Sequence, residues 1–213
     1  MKSDNKNDAQ FKQSQLLINS SMFYVFIAAV GLMVAHYRHG NLGTVFLPYS
    51  EDFLTWQVLA LGGLTAGVII CKNYLFEDFF PSYRMLFEIM AQLMGRLSLW
   101  ASLFLAVIAA VAEEIMFRAA IQPSAGLVLT AGLFALLHIG PANRLGAWAL
   151  IAFLSGLIFA WTFEVTGSIW PSMIGHTAVN VWSMFRFKAA YKKAKKEEER
   201  RKEIKQSFSR GIE

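Results

Sequence analysis

Residues 97–122 read LSLWASLFLAVIAAVAEEIMFRAAIQ. The first fifteen carry no charge, and then Glu113, Glu114 and Arg118 arrive together. An isolated acid or base at the centre of a bilayer costs at least ~2.5 to 3.5 kcal/mol on insertion scales, so ionisable groups in such a block mark a functional site. The reading of this stretch as a membrane helix decides the reading of the rest.

Of the 213 residues, 55% are apolar and only 16% are charged, which is too apolar for an ordinary soluble domain. The apolar residues also come in blocks, and a bilayer core about 30 Å thick is crossed by roughly 20 apolar residues at about 1.5 Å each. The blocks are Leu16 to Ala35, Phe53 to Cys71, Leu97 to Gln122, the shorter Ala125 to His138, Leu145 to Phe163, and Ser168 to Phe187. The expectation is an all-α, polytopic helical membrane protein with about six transmembrane helices. The first block is longer than the apolar core of a signal peptide and no small-residue cleavage site follows it, so it is read as a helix. The lone Cys71 excludes an intramolecular disulfide and any CxxC metal or redox pair.

Three regions are expected: a polar, loosely ordered N-terminal tail at 1–15, a membrane domain at 16–188 and a basic C-terminal tail at 189–213. From Arg186 onward eleven Lys and Arg stand against five Glu, so the net charge of +5 belongs to the tail. This describes a solvated cytoplasmic helix with i,i+4 pairs Glu197/Arg201 and Glu198/Lys202, able to touch anionic lipid headgroups, and not a nucleic-acid face. The positive-inside bias, with Lys72, Arg84, Arg96 and Arg144 on the same side as the tail, puts both termini in the cytoplasm. Between the second and third spans, Met85, Leu86, Ile89, Met90, Leu93 and Met94 recur at helical spacing opposite Arg84, Glu88, Gln92 and Arg96. They predict an amphipathic helix lying in the interface, begun by Ser82 after Pro81, as a surface connector or a gate.

Two of the four histidines also fall in apolar blocks, His138 in FALLH and His176 in HTAVN, the latter with Asn180. Glu114 and Arg118, Phe134 and His138, and His176 and Asn180 are each four apart, so each pair shares one helix face. Three helices can turn these ridges to a common interior. Arg118 can pair with Glu114, leaving Glu113 free to face a cavity, since adjacent residues diverge by about 100°. Glu113 could then share a water with His138, while His176 and Asn180 donate hydrogen bonds to an oxyanion. Taken singly, each pair also has a plain reading as a helix-packing contact. The conjunction of all three in separate spans is what favours chemistry.

The motifs EEIMFR, FALLH and HTAVN, in that order on successive helices, resemble EExxxR, FxxxH and HxxxN of the CAAX prenyl protease and bacteriocin-processing (CPBP, or Abi) membrane proteases. The resemblance covers about Leu97 to Phe185. It implies a glutamate-dependent intramembrane endopeptidase, in which Glu113 and His138 activate water, His176 and Asn180 form the oxyanion site, and Glu114, Arg118 and Phe134 support the site. It further implies a multi-pass protein of a bacterial plasma membrane, a peptide or protein substrate in or at the bilayer, and no cofactor or metal. Ala119 departs from the small Gly that many members have after the Arg, and six spans are fewer than the eight-helix build that the eukaryotic enzymes resemble. Prenylated CAAX peptides, peptide pheromones, bacteriocin leaders and C-terminal sorting tails all remain open as substrates.

Rival readings are a zinc protease built on the two His and two Glu, a non-catalytic immunity or scaffold protein of the same family, and a proton-relay transporter. The chain has no HExxH and Asn180 is a poor zinc ligand. A scaffold needs no complete catalytic set, and a transporter calls for repeats or broken helix pairs. One tension stands: Glu113 lies nine residues before Gln122, His138 thirteen after Ala125 and His176 eight after Ser168, so a common depth requires unequal or tilted helices.

Overall fold

The computed structural model describes residues 2–46, 55–139 and 146–210, and these form helices and their connections. Arg144, used above for orientation, and the starts of two expected spans, at Phe53 and Leu145, lie outside the described residues. The elements are α1 (Lys2–His39), α2 (Gly43–Phe46), α3 (Thr55–Phe79), α4 (Pro81–Met94), α5 (Leu99–Glu114), a π-helical segment (Ile115–Ile121), α6 (Gln122–Leu137), α7 (Gly146–Thr166) and α8 (Ile169–Arg210). This is an all-α fold of the polytopic membrane type. Large apolar side chains such as Met22, Phe26, Trp100 and Leu137 point outward, as lipid rather than water would require.

The expected all-α polytopic membrane architecture is what the structure shows, with the apolar blocks distributed over the helices as follows. Among the described residues, four helical runs are long and apolar enough to cross a membrane: Gln13–His39, Trp56–Phe79, Leu99–Leu137 and Trp148–Thr166. The third and fourth blocks follow one another directly in the chain through Gly126, and α8 falls short of that apolarity. The reason for α8 is its position, packed against α3, α5 and α7, where it faces protein more than lipid and can hold His176, Asn180 and Ser183.

The run Leu99–Leu137 is not straight. Gly126 has φ 72° and ψ 172°, a conformation open essentially to glycine alone, and the helix direction breaks there. A straight helix would hold Phe117 and Phe134 about 25 Å apart. Their ring centroids are 5.1 Å apart, so the chain reverses at Gly126 and α6 returns along the π-helical segment and α7. The arm from Leu127 to Leu137 is about 16 Å long and reaches only part of the way across a bilayer core.

Directions follow from contacts at both ends. Gln13 Nε2 donates to Arg96 O at 3.1 Å and Arg38 Nη1 to Ala120 O at 3.3 Å, so α1 runs parallel to α5. The Thr65 and Thr162 hydroxyls meet at 3.1 Å and Lys72 Nζ donates to Ser155 Oγ at 2.6 Å, so α3 runs antiparallel to α7. Lys188 Nζ reaches Leu97 O, which puts the exit of α8 beside the entry of α1 at the Arg96–Leu97 edge. Both ends of the described chain thus leave on the side of α4. Close approach fixes α8 in the centre: a Cβ on Gly175 would stand 3.0 Å from Gly62 O and 2.9 Å from the Thr65 side chain.

Two local expectations shift. Helix α1 begins at Lys2, so residues 2–15 prolong it instead of forming a loose tail; the segment has no Gly or Pro to stop it. Helix α4 begins one residue before Ser82, with Pro81 in its first turn after extended Phe80 (φ −120°, ψ 103°), because Pro is preset for that position. Its amphipathic character stands, with Leu86 buried and Ile89 and Leu93 exposed.

Candidate active site

The reversal at Gly126 removes the depth problem. Glu113 lies thirteen residues before this glycine and His138 twelve after it, so the two arms bring them to the same level. His176 is seven residues below Ile169, whose side chain packs with Ile115 and Ala119, and it therefore reaches that level from the other side. Unequal helices were expected; the unequal one is the short returning arm.

Glu114 and Arg118 are both fully buried, with Arg118 Nε donating to Glu114 Oε2 at 3.0 Å. The pair lies at the entry to the π-helical segment, whose wider turn is frequent at functional sites and re-aims successive side chains. The second oxygen, Glu114 Oε1, is 3.0 Å from His176 Nδ1. A carboxylate can only accept there, so Nδ1 carries the hydrogen and the ring is fixed with Nε2 outward. Nε2 stands 3.7 Å from Glu113 Oε2. The His176 ring is stacked on Phe159 at 4.6 Å and meets the Phe134 edge at 6.0 Å, which leaves it little rotational freedom.

His138 caps the returning arm, its Nδ1 2.7 Å from Phe134 O. With Nδ1 donating to that carbonyl, Nε2 is left as an acceptor. Its ring packs on Phe134 at 4.5 Å and edge-on to Trp148 at 5.5 Å. Phe134, read from sequence as a support residue, touches His138, His176 and Phe117 and lies 5.8 Å from the Arg118 guanidinium carbon. Asn180 Nδ2 donates to Ala106 O of α5 at 3.3 Å, which engages one of its two amide hydrogens.

Glu113, Phe134, His138, His176 and Asn180 line one cavity of about 310 Å³. Glu114 and Arg118 close it from behind. The expected water-sharing pair was Glu113 with His138; the residue of α8 that stands beside the carboxylate is His176, held by Glu114. From the glutamates the cavity runs between α5, α8 and one face of α4, where Leu86, Phe87, Met90 and Met94 form an apolar wall. The amphipathic helix is thus part of the cavity as well as a connector. At this mouth Glu77 and Arg186 form a two-pronged ion pair at 2.7 and 3.0 Å, with the guanidinium over Tyr74, Phe87 and Trp182. The Tyr83 phenol, facing the cavity from α4, is pushed up to about 12 by burial and by the Glu77 charge, and so remains a donor at neutral pH. Among the described residues, no three His, Cys, Asp or Glu side chains are disposed to hold a metal ion.

Sequence reasoning missed Asn73 and Ser155, which also line the cavity. Ser155 stands alone in an apolar block and Asn73 follows Lys72 just past the end of one, and only the tertiary fold brings them to the others.

A membrane helix bundle that buries two acids, an arginine and two histidines around one cavity belongs to the class of membrane proteins with a polar, chemically competent interior. Residues 95–182 match the family model described as "Type II CAAX prenyl endopeptidase Rce1-like", which is the family the three motifs resemble and covers the segment that holds all of them. The match supports a CAAX-type intramembrane protease fold. The chain is also similar to the protein YpbD of Bacillus subtilis (strain 168), described as uncharacterized, at 28% identity over 138 residues, or 61% of this chain and 68% of that one. No solved structure matches the chain.

Proposed function

We propose that the chain is an intramembrane endopeptidase that hydrolyses a peptide bond of a membrane-associated substrate with water activated by Glu113 and His138. The observation that carries this reading is the convergence of Glu113, His138, His176 and Asn180, from three separate stretches of sequence, on one cavity closed by the buried Glu114–Arg118 pair.

In this mechanism the water oxygen attacks the scissile carbonyl carbon as its proton passes to the Glu113 carboxylate, and His138 Nε2 accepts the water's other hydrogen and aims it. The carbonyl electron pair moves to oxygen, where the second Asn180 amide hydrogen and His176, as the imidazolium donating from Nε2, stabilise it. When the C–N bond breaks, the proton on Glu113 goes to the departing nitrogen, leaving an acid and an amine. Glu114 and Arg118 are positioning residues that hold His176. The substrate enters from the α4 side, and the basic tail on that side makes it the cytoplasmic face of a bacterial plasma membrane. The tail contacts anionic headgroups there.

The test compares membranes carrying wild type and Glu113→Gln protein by peptide mass spectrometry. The amide cannot take the proton from water, so a glutamate-dependent peptide product should vanish while the protein still inserts and folds. Identical peptide profiles from both would sink the reading in favour of a non-catalytic scaffold.

A further inference from the structure

The polar residues of α3 that face the bundle are mostly spent on their neighbours. Thr65 is bonded to Thr162, and Lys72 donates to Ile151 O at 3.0 Å and to Ser155 Oγ. Asn73 is different. It is only 7% exposed, it faces the same cavity as Glu113 and His176, and its Oδ1 has no hydrogen-bond partner. A buried amide oxygen left unpaired in an apolar helix destabilises the fold, so its retention calls for a donor that arrives later.

The level of Asn73 is set by its neighbours. Lys72 bonds Ser155, and Tyr74 meets Trp182 edge-on at 5.1 Å. Ser155 lies one turn of α7 from Phe159, whose ring stacks on His176, and Trp182 lies six residues along α8 from His176. Both routes put Asn73 about 6 to 9 Å from the His176 level, toward α4. An extended peptide advances about 3.3 Å per residue, so this is about two residues from the bond being cut. A peptide opened for hydrolysis at membrane depth has lost its own helical bonds and is shielded from bulk water, so its N–H groups need acceptors within the protein.

We propose that Asn73 is a substrate-binding residue whose Oδ1 accepts a hydrogen bond from a backbone N–H of the bound peptide, about two residues from the scissile bond, and so sets where the chain is cut. This rests on the protease reading above. Any extended peptide offers that N–H, so the contact fixes register without reading side chains.

The probe is a tryptic peptide library of bacterial membrane proteins in detergent micelles, incubated with the purified full chain and read by mass spectrometry. Wild type should cut a defined subset and Glu113→Gln none. Asn73→Ala and Asn73→Leu should cut about three- to tenfold more slowly, the scale of one neutral hydrogen bond, with cut positions spread by a residue. Their melting temperatures should not fall, because no bond within the folded protein is lost. One cleaved peptide is then remade with an ester in place of the N–H concerned: wild type should lose the same factor on it, and Asn73→Ala nothing further. A library untouched by wild type would overturn the protease reading itself. Wild-type cleavage with unchanged rates and cut positions in both Asn73 variants would overturn this inference alone, as would a lowered melting temperature with the ester still penalised in Asn73→Ala.

Discussion

Replacing Arg118 by alanine should damage the fold before it damages the chemistry. Both Arg118 and Glu114 have no exposed side-chain surface, and the Nε bond at 3.0 Å is what matches the Glu114 charge from within its own helix. Its loss leaves a buried acid with His176 as remaining partner, and breaking a buried pair from one side costs ~3 to 5 kcal/mol. The cation near the Phe134 ring is lost as well, a smaller effect of ~0.5 to 1 kcal/mol that is not additive with the first. At about 2 to 4 °C per kcal/mol for a chain of this size, the principal loss predicts a fall of ~6 to 20 °C in melting temperature, measured on detergent-solubilised protein beside folded yield by size exclusion. The double replacement Glu114→Leu with Arg118→Met should recover most of it, since an apolar pair of similar volume leaves no stranded charge. Activity should stay lost in the double variant, because without Glu114 His176 no longer has the acceptor that fixes its ring, whereas in Arg118→Ala that acceptor remains and activity should fall with the folded fraction. An Arg118→Ala protein of unchanged melting temperature, or a double variant no better than the single, would show that charge burial is not what the pair contributes.

Asn180→Ala should lower kcat by roughly 10²- to 10³-fold with KM little changed, as for other oxyanion donors; its bond to Ala106 O should account for only ~0.6 kcal/mol of stability, so an unchanged kcat beside a lowered melting temperature would make it a packing residue. Gly126→Ala should cost ~1 to 3 kcal/mol for its backbone conformation and move the arm that carries His138, read as lost activity in a protein that still inserts; normal turnover would mean that the reversal tolerates a side chain. Purified protein treated with a strong chelator should keep its activity, and loss restored only by added zinc would favour a metalloprotease.

The four-residue spacings of the motifs were legible because helical periodicity maps directly onto shared faces, and Glu114 with Arg118 forms the pair that this spacing predicts. The α4 amphipathic pattern was legible for the same reason. What stayed hidden depended on direction. Gly126 lies in AGLVL, where a glycine in an apolar run is compatible with a straight helix, a kink or a reversal, and only its φ decides among them. The link from His176 to Glu114 joins residues 62 apart, and no local pattern distinguishes it from a link to Glu113 or His138. The π-helical segment left no trace in IMFRAAI, since its widened turn answers to tertiary packing and not to residue type. The block Ser168 to Phe187 was legible as a helix, but not that it packs at the centre of the bundle, because its contacts with α3 and α5 join residues distant in sequence.

Because Glu113, Glu114, Arg118 and His176 sit together behind the apolar walls, the proposed reaction leaves the total electrical charge of this compartment constant. Water enters neutral; its proton adds one positive charge at Glu113 while the attacked carbonyl gains one negative charge a few ångströms away, and collapse of the intermediate cancels both. No ion need cross the low-dielectric walls between binding and bond cleavage. The turnover is a redistribution within a fixed set of fields, and the bilayer around it registers only a changing dipole.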